Sequence, residues 1–389
     1  MNLRASLKAS SFTESVIREM TRLAAVHDAI NLGQGYPDFP APEAVKEAAR
    51  RAIFEDHNQY PITWGDPDFR RAIADGYERN YGLTFDPESQ ICVTCGSTEA
   101  MAASFLGLLD DGDEVVVFEP FYESYNPDSI MAGAVPRYVT LRPPEWTFDP
   151  DELVRAFGPR TRAVVINSPH NPTGKVFTAD ELGQIAALCI EHDAIAITDE
   201  IYEHITYDGL PHVPIATLPG MAERTVTISA LSKSYSVTGW RVGWAVSSEA
   251  LMAGIRSTHD FLTVAAAAPL QIAGVAALGL PDDYYEVMRK EYAERRDVMM
   301  RVLEEVGFAA EVPQGAYYVM ADVTPMGLED DVATAQHLVQ RARVATVPGS
   351  SFFSRPELGR HLVRFAFCKR VETLEAAGER LIAAAAATS

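Results

Sequence analysis

Cysteine is scarce in this chain, four residues in 389, and no second Cys-x-x-C or matching histidine pair accompanies Cys92 and Cys95. Zinc or dithiol chemistry is therefore unsupported, and two half-buried thiols flanking a strand end are the expected arrangement. Basic charge is also in short supply: 33 Lys and Arg stand against 54 Asp and Glu, a formal net charge of −21. So acidic a surface repels nucleic acid and anionic membrane, which excludes both as partners. Apolar runs are short. The opening MNLRASLKASSFTESVIREM lacks the apolar core of a secretory signal. No later stretch stays apolar for about eighteen residues, so a cytoplasmic location is expected. What remains is an ordinary globular composition, 47% apolar, long enough to bury a large core divided between two domains.

The most informative stretch is TVTISALSKSYSVTGWRVG, Thr225 to Gly243. Thr225 to Ser229 are β-branched and apolar, the pattern of a strand buried on both faces of a parallel sheet. The small and hydroxyl residues that follow, with Gly239, Trp240 and Arg241, predict a tight polar turn at the sheet's carboxyl edge, where open α/β sheets place ligands. Lys233 sits in that turn with no carboxylate close by in sequence. Desolvation and the Arg241 cation both lower a lysine pKa, and a neutral amine can form a Schiff base. A lone lysine of this kind would ordinarily be a solvated loop residue; its neighbours decide otherwise.

Those neighbours, SALSKSYSVTGWRVG, resemble the cofactor-lysine segment of the class I pyridoxal-phosphate aminotransferases, the fold type I superfamily. The resemblance runs from Asn31 to Lys369 through NLGQGYPDFP, NQYPITWG, CGSTEA, DEVVVFEPFYESY, NSPHNPTGKVF, TDEIYEHITYDG and LVRFAFCK. No one segment would suffice; together they are highly specific. YEHITYDGLPH and LPGMAERT make the chain most similar to the kynurenine, glutamine and methionine aminotransferase-like branch. The resemblance implies an α/β fold: a large cofactor domain with a mostly parallel seven-stranded sheet flanked by helices, plus a smaller α+β domain. The expected boundaries are 1–42 for an N-terminal arm and part of the small domain, 43–281 for the large domain and 282–389 for the small domain.

The site residues follow from the segments in turn. Ile91 to Ala100 reads as a strand turning through glycine into a helix, whose first-turn amides and dipole suit a phosphate; Gly96, Ser97 and Thr98 are the expected cradle. A plain N-cap by Ser97 or Thr98 would use the same residues. Strand Asp113 to Glu119 leads to Phe121, expected to pack in the core, and Tyr122, which by resemblance lies against the cofactor ring. Pro169 and Pro172 stiffen the loop presenting Asn171, whose amide is implied to bind the cofactor phenolate and the substrate. His170 is expected to be exposed. After the buried strand Ala194 to Thr198 comes Asp199, implied to hold the ring nitrogen protonated, with Tyr202 one helical turn on donating to the phenolate. Glu200 and Glu203 are expected to be solvated.

The family pattern has a phosphate-binding serine three residues before the lysine, where this chain has Ala230; Ser229 and Ser232 flank the gap, and either could substitute. Arg241 has the spacing and the fork of a phosphate ligand. Tyr60 is implied to reach the cofactor phosphate of a partner subunit, hence a homodimer with shared sites. Gly35 is implied to let backbone approach the substrate carboxylate. Arg364, on the apolar strand Leu362 to Phe367, is costly unless it meets an anion, and the resemblance supplies the substrate α-carboxylate.

The implied activity is amino-group transfer between an L-amino acid and a 2-oxo acid, with Lys233 carrying pyridoxal 5′-phosphate as a Schiff base and serving as general base and acid. No arginine occurs between Arg256 and Arg289. A dedicated aspartate enzyme is therefore disfavoured, and a broad pocket for neutral, sulfur-containing or aromatic side chains is expected. The run Val264 to Pro269 leaves room near that pocket. Two alternatives stand beside this reading: a β-eliminating C–S lyase on the same fold, and a non-catalytic cofactor-binding regulator, for which no DNA-binding region is found before Asn31.

Overall fold

The computed structural model describes residues 5–12 and 14–388. The first four residues of the expected arm, and Thr13, lie outside the described residues. The arm's helix is Val16–Val26, with Ser15 capping it by accepting from the Arg18 amide.

In chain order the strands are β1 (Ile30–Asn31), β2 (Ile91–Thr94), β3 (Glu114–Glu119), β4 (Val135–Thr140), β5 (Thr161–Asn167), β6 (Ile195–Asp199) and β7 (Thr225–Ala230). They continue with β8 (Gly243–Val246), β9 (Ala309–Ala310), β10 (Tyr318–Asp322), β11 (Val344–Ala345), β12 (Val347–Pro348) and β13 (Leu362–Ala366). Seven of them form one sheet in the order β2-β8-β7-β6-β5-β3-β4. Its neighbours run parallel except at β8, which is antiparallel to both β2 and β7. β3, β6 and β7 are buried along their whole length, as their mainly apolar and β-branched sequences require when helices cover both faces.

Register decides where the chemistry goes. Gly243 pairs with Thr94 on one side and with Ala230 on the other, and Asn167 pairs with Asp199. The carboxyl ends of β2, β5, β6 and β7 therefore align along one edge, and the loops that leave them carry the cradle, Asn171, Asp199 and Lys233. This is the edge at which open α/β sheets bind ligands.

A four-stranded sheet, β12-β13-β10-β9, forms a second layer, packed with the 25-residue helix Asp282–Val306 and the C-terminal helix Val371–Thr388. β1 pairs in parallel with β11, so the segment carrying Gly35 is tied to this second layer although it lies far away in sequence. Arg364 is the middle residue of β13, opposite Met320 of β10 and Val347 of β12.

Candidate active site

One cavity of about 820 Å³ is lined by Ser97 and Thr98 of the expected cradle together with Asn171, Asp199, Lys233 and Arg364. A second cavity, about 750 Å³ and lined by Arg79, Glu203, His212 and Arg289, contains none of them.

Lys233 lies in the four-residue helix Leu231–Ser234 that β7 runs into. Its ammonium donates to the Gly35 carbonyl at 3.2 Å, and sits 5.6 Å from the ring centres of both Tyr202 and Tyr317. Burial brings its pKa down to about 8, with Arg241 and Arg364 adding to the fall and Cys368 and Asp199 opposing it. Asp199 ends β6. One carboxylate oxygen accepts from the Tyr125 hydroxyl at 2.7 Å; the other, Oδ1, is buried with no partner. Burial pushes this carboxyl up to about 6, because its charge is only partly compensated.

Arg364 is 1% exposed and pairs with no carboxylate among the described residues. Its guanidinium donates to Asn171 Oδ1 at 2.7 Å and to the Gly33 carbonyl at 2.6 Å, leaving Nε unpartnered. The rings of Tyr318 and Phe352 lie 4.3 and 4.8 Å from it. A buried cation held only by neutral oxygens and ring faces is strongly favourable to an incoming anion. Since Asn171 Oδ1 accepts from Arg364, its amide nitrogen is the end left to donate. Tyr202 shares a hydrogen bond with the Tyr318 hydroxyl at 3.1 Å, and Tyr122 lines the cavity half-buried.

The cradle is built by backbone. Gly96 is the N-cap of helix Ser97–Leu108 at φ +80°, and no side chain there caps the helix, so neither Ser97 nor Thr98 takes that role. Arg241 donates to the Thr98 hydroxyl at 3.3 Å, and a methyl group added at Gly96 would lie 2.4 Å from the Arg241 guanidinium. We therefore expect Gly96→Ala to displace Arg241 and to strain the turn by about 1–3 kcal/mol. The check is cofactor retention on dialysis; retention equal to that of the natural chain would count against the cradle. Gly35 is confined from another direction, since a methyl group there would come within 1.8 Å of the Tyr318 hydroxyl.

Three expected site or surface assignments need correction. Ser229 is not brought to the cavity: its hydroxyl donates to Glu203 at 2.8 Å, whereas Ser232 does line the cavity. Glu200 and Glu203 are buried, not solvated. Glu200 bonds to His212 at 2.7 Å and to Thr198 at 2.8 Å, and Glu203 also accepts from Tyr81 at 2.8 Å. Both carboxylates turn into the fold, where hydroxyls and an imidazole satisfy them. His170 is buried, 2.7 Å from the Thr173 hydroxyl, and burial with Lys175 nearby lowers it to about 3, so it stays neutral. Cys92 is fully buried and Cys95 half-buried on the cavity wall; both are free thiols. Tyr60 stands apart from the cavity, 87% exposed. Sequence reasoning missed Tyr125 and Tyr318. The only signals were the i, i+3 spacing of Tyr122 and Tyr125 and the Tyr317–Tyr318 doublet opening β10.

Among known proteins, the family model for aminotransferase class I and II matches residues 27–381. The probable N-succinyldiaminopimelate aminotransferase DapC of Mycobacterium tuberculosis is 43% identical over 380 residues, covering 95% of this chain and 96% of that protein. Mouse kynurenine–oxoglutarate transaminase 3 is 39% identical, covering 93% of this chain and 86% of its own. The solved N-succinyldiaminopimelate aminotransferase from M. tuberculosis superposes with a TM-score of 0.95 at 42% identity over 98% of this chain and 100% of that one. Escherichia coli YbdL, identified with a methionine aminotransferase function, superposes with a TM-score of 0.93 at 34% identity over the same shares. The chain belongs to the class I and II aminotransferase family.

Proposed function

We propose that this aminotransferase works with pyridoxal 5′-phosphate held by the residues gathered at the sheet edge. The observation that carries this is the buried, unpartnered Oδ1 of Asp199, in the same cavity as a lysine whose pKa is lowered to about 8. A buried carboxylate oxygen without a partner calls for a donor, and a protonated ring nitrogen would supply a charge-assisted one. Gly96, Ser97, Thr98, Ser232 and Arg241 would hold the phosphate, Tyr122 the ring face, and Asn171 and Tyr202 the phenolate. When bound, the cofactor supplies a carbonyl for the amine and a cationic ring that accepts electrons from the substrate α-carbon.

The chain's own groups do the rest. Arg364 fixes the substrate carboxylate, with Asn171 and the Gly35 backbone beside it. Lys233, uncharged once its proton is lost near pH 8, takes the α-proton and returns it to the neighbouring carbon, as base and then acid. Asp199, held in place by the Tyr125 hydroxyl, would hold the ring nitrogen and be kept ionised by its positive charge. Tyr60, exposed on a single chain, supports a homodimer in which it reaches the partner's phosphate site; the exposed apolar residues Ile62, Phe261 and Val264 suit the same role. A cytoplasmic location accords with the described residues having no helix long and apolar enough to cross a membrane.

Ile17, Tyr36 and Leu262, which line the cavity, support neutral, sulfur-containing or aromatic amino donors. A second reading has its own observation: Arg18 also lines the cavity, is exposed, and has no ion-pair partner among the described residues. It favours donors with a distal carboxylate, the kind of compound named for the M. tuberculosis relatives. Rates for a panel of donors with one 2-oxo acid acceptor decide. Arg18→Ala should cost an acidic donor about tenfold or more in kcat/KM if the second reading holds, and nothing for a neutral donor. Steady ammonia release without acceptor would instead point to β-elimination.

A further inference from the structure

Beside the cradle, where Glu99 also lines the cavity, lies a buried glutamate–histidine pair that no step above uses. Glu99, in the first turn of helix Ser97–Leu108, is 8% exposed, and the side chain of His259 from helix Glu249–Leu262 is wholly buried. His259 Nδ1 is 2.7 Å from Glu99 Oε1, and its Nε2 is 2.8 Å from the Thr63 carbonyl. Glu99 also accepts from the Thr263 hydroxyl at 2.6 Å and, through its other oxygen, from the Cys95 amide. The Cys95 amide can only donate to it, and these bonds hold the Glu99 carboxyl below its ordinary pKa, which favours the ionised form. A carboxylate and a carbonyl then face the two ring nitrogens, and both bonds form only if both nitrogens carry hydrogen.

We propose that His259 is a positioning residue for the cofactor site: as an imidazolium bridging Glu99 and the Thr63 carbonyl, it clamps the start of the cradle helix to the loop that carries Tyr60. Three segments distant in sequence, 58–65, 95–99 and 259–265, meet at this pair. The strand-to-helix turn at Cys95 is pinned by Glu99, and Thr263 brings in the segment where Val264 sits at φ +70°, an unfavourable conformation for a β-branched residue. Thr63 lies three residues after Tyr60, so the same clamp sets where that loop leaves the fold.

The charges agree with the geometry. Burial alone would lower His259, but the hydrogen bond and charge of Glu99, the Thr63 carbonyl and the charge of Asp260 raise it overall. Burial would raise Glu99; its bonds to His259, Thr263 and the Cys95 amide bring it down. A histidine raised by folding contributes fully below its ordinary value, about 6.5, and loses that contribution as pH rises through the folded value. One ring nitrogen is then left without hydrogen in front of an oxygen acceptor, the Thr63 carbonyl if Nδ1 keeps its bond to the Glu99 carboxylate, and the clamp loosens.

This inference rests on the reading that Gly96 to Thr98 hold the phosphate. The test is retention of pyridoxamine 5′-phosphate, which forms no covalent bond to Lys233, by the full-length enzyme on gel filtration. The unaltered enzyme is compared with His259→Gln and Glu99→Gln at about pH 6.5 and about pH 9. The natural enzyme should hold the compound about fivefold or more tightly than either variant at the lower pH. That advantage should shrink at the higher pH, as the histidine loses its proton. The comparison with the variants removes contributions from Lys233 and from the phosphate itself, which titrate in all three proteins. Equal retention by the natural enzyme and Glu99→Gln at both pH values would overturn the proposal, and this isosteric variant decides the matter if His259→Gln does not fold. If the natural enzyme retains none of the compound at either pH, the cradle reading fails and takes this inference with it.

Discussion

Lys233→Ala is expected to lose amino-group transfer by ~10⁴-fold or more, the upper range for removing a positioned acid–base group, with the loss in kcat rather than KM. The lysine amine is placed by one hydrogen bond to the Gly35 carbonyl, between the rings of Tyr202 and Tyr317. No other amine among the described residues lines the cavity, so the methyl group of alanine leaves nothing to carry the proton. Arg364 and Asp199 remain in the variant, and substrate should still bind. Single-turnover rates with one amino acid provide the check; a rate within tenfold of the natural enzyme would remove Lys233 from the chemistry. The pH sense follows from the lowered pKa. In the cofactor-free protein the amine is charged below about 8 and neutral above it, so capture of pyridoxal 5′-phosphate should quicken as pH rises through that value. By the same linkage, a lysine depressed by folding contributes stability above its ordinary pKa, and that contribution is lost as pH falls through about 8.

The second large effect is at Asp199. Asp199→Asn keeps an oxygen for the Tyr125 hydroxyl and nearly the same volume, yet removes the negative charge. A loss of about 10²–10³-fold in kcat is expected, the range found when a preorganised electrostatic contact to the reacting system is deleted. Without the cofactor, burial raises this carboxyl to about 6. A cationic ring nitrogen beside Oδ1 would reverse that shift and keep the group ionised. Two observations should therefore go together. In the cofactor-free protein the raised carboxyl contributes stability below its ordinary range, which is lost as pH rises through about 6. In the loaded enzyme that pH dependence should disappear. A rate for the Asp199→Asn variant within threefold of the natural enzyme's would show that the charge is not used.

Much of this was legible in the chain because the site is assembled from strand ends, and strand ends are marked in sequence by a buried run followed by glycine, proline or a polar residue. Thr225 to Ser229 is expected as a strand and is found as Thr225–Ala230, with Lys233 in the turn beyond it. Asp199 closes Ile195–Asp199, and the family assignment with its α/β sheet holds. What the sequence could not convey is the direction in which polar side chains point. Ser229 and Ser232 look equivalent as flanks of Ala230. The alternation along β7 sends Ser229 to Glu203, while the helical turn after it leaves Ser232 on the cavity wall. Glu200 and Glu203 read as surface residues because their partners His212, Tyr81 and Ser229 are brought to them by tertiary packing, and His170 does because its burial, unlike its local bond to Thr173, is a tertiary effect. Arg18 was hidden for a similar reason: a helical arginine near the N-terminus reveals nothing of the cavity it borders.

The central claim is that Lys233, Asp199 and Arg364 form one site that moves an amino group through pyridoxal phosphate. The absorbance spectrum of the purified enzyme, with cofactor and single amino acids but no 2-oxo acid, tests it most directly. The account predicts that the band of the lysine-bound cofactor gives way to the pyridoxamine band with a responsive amino acid, and that Lys233→Ala abolishes the conversion. A protein that shows no cofactor band after pyridoxal phosphate is added, or an unchanged band while ammonia accumulates, would contradict it.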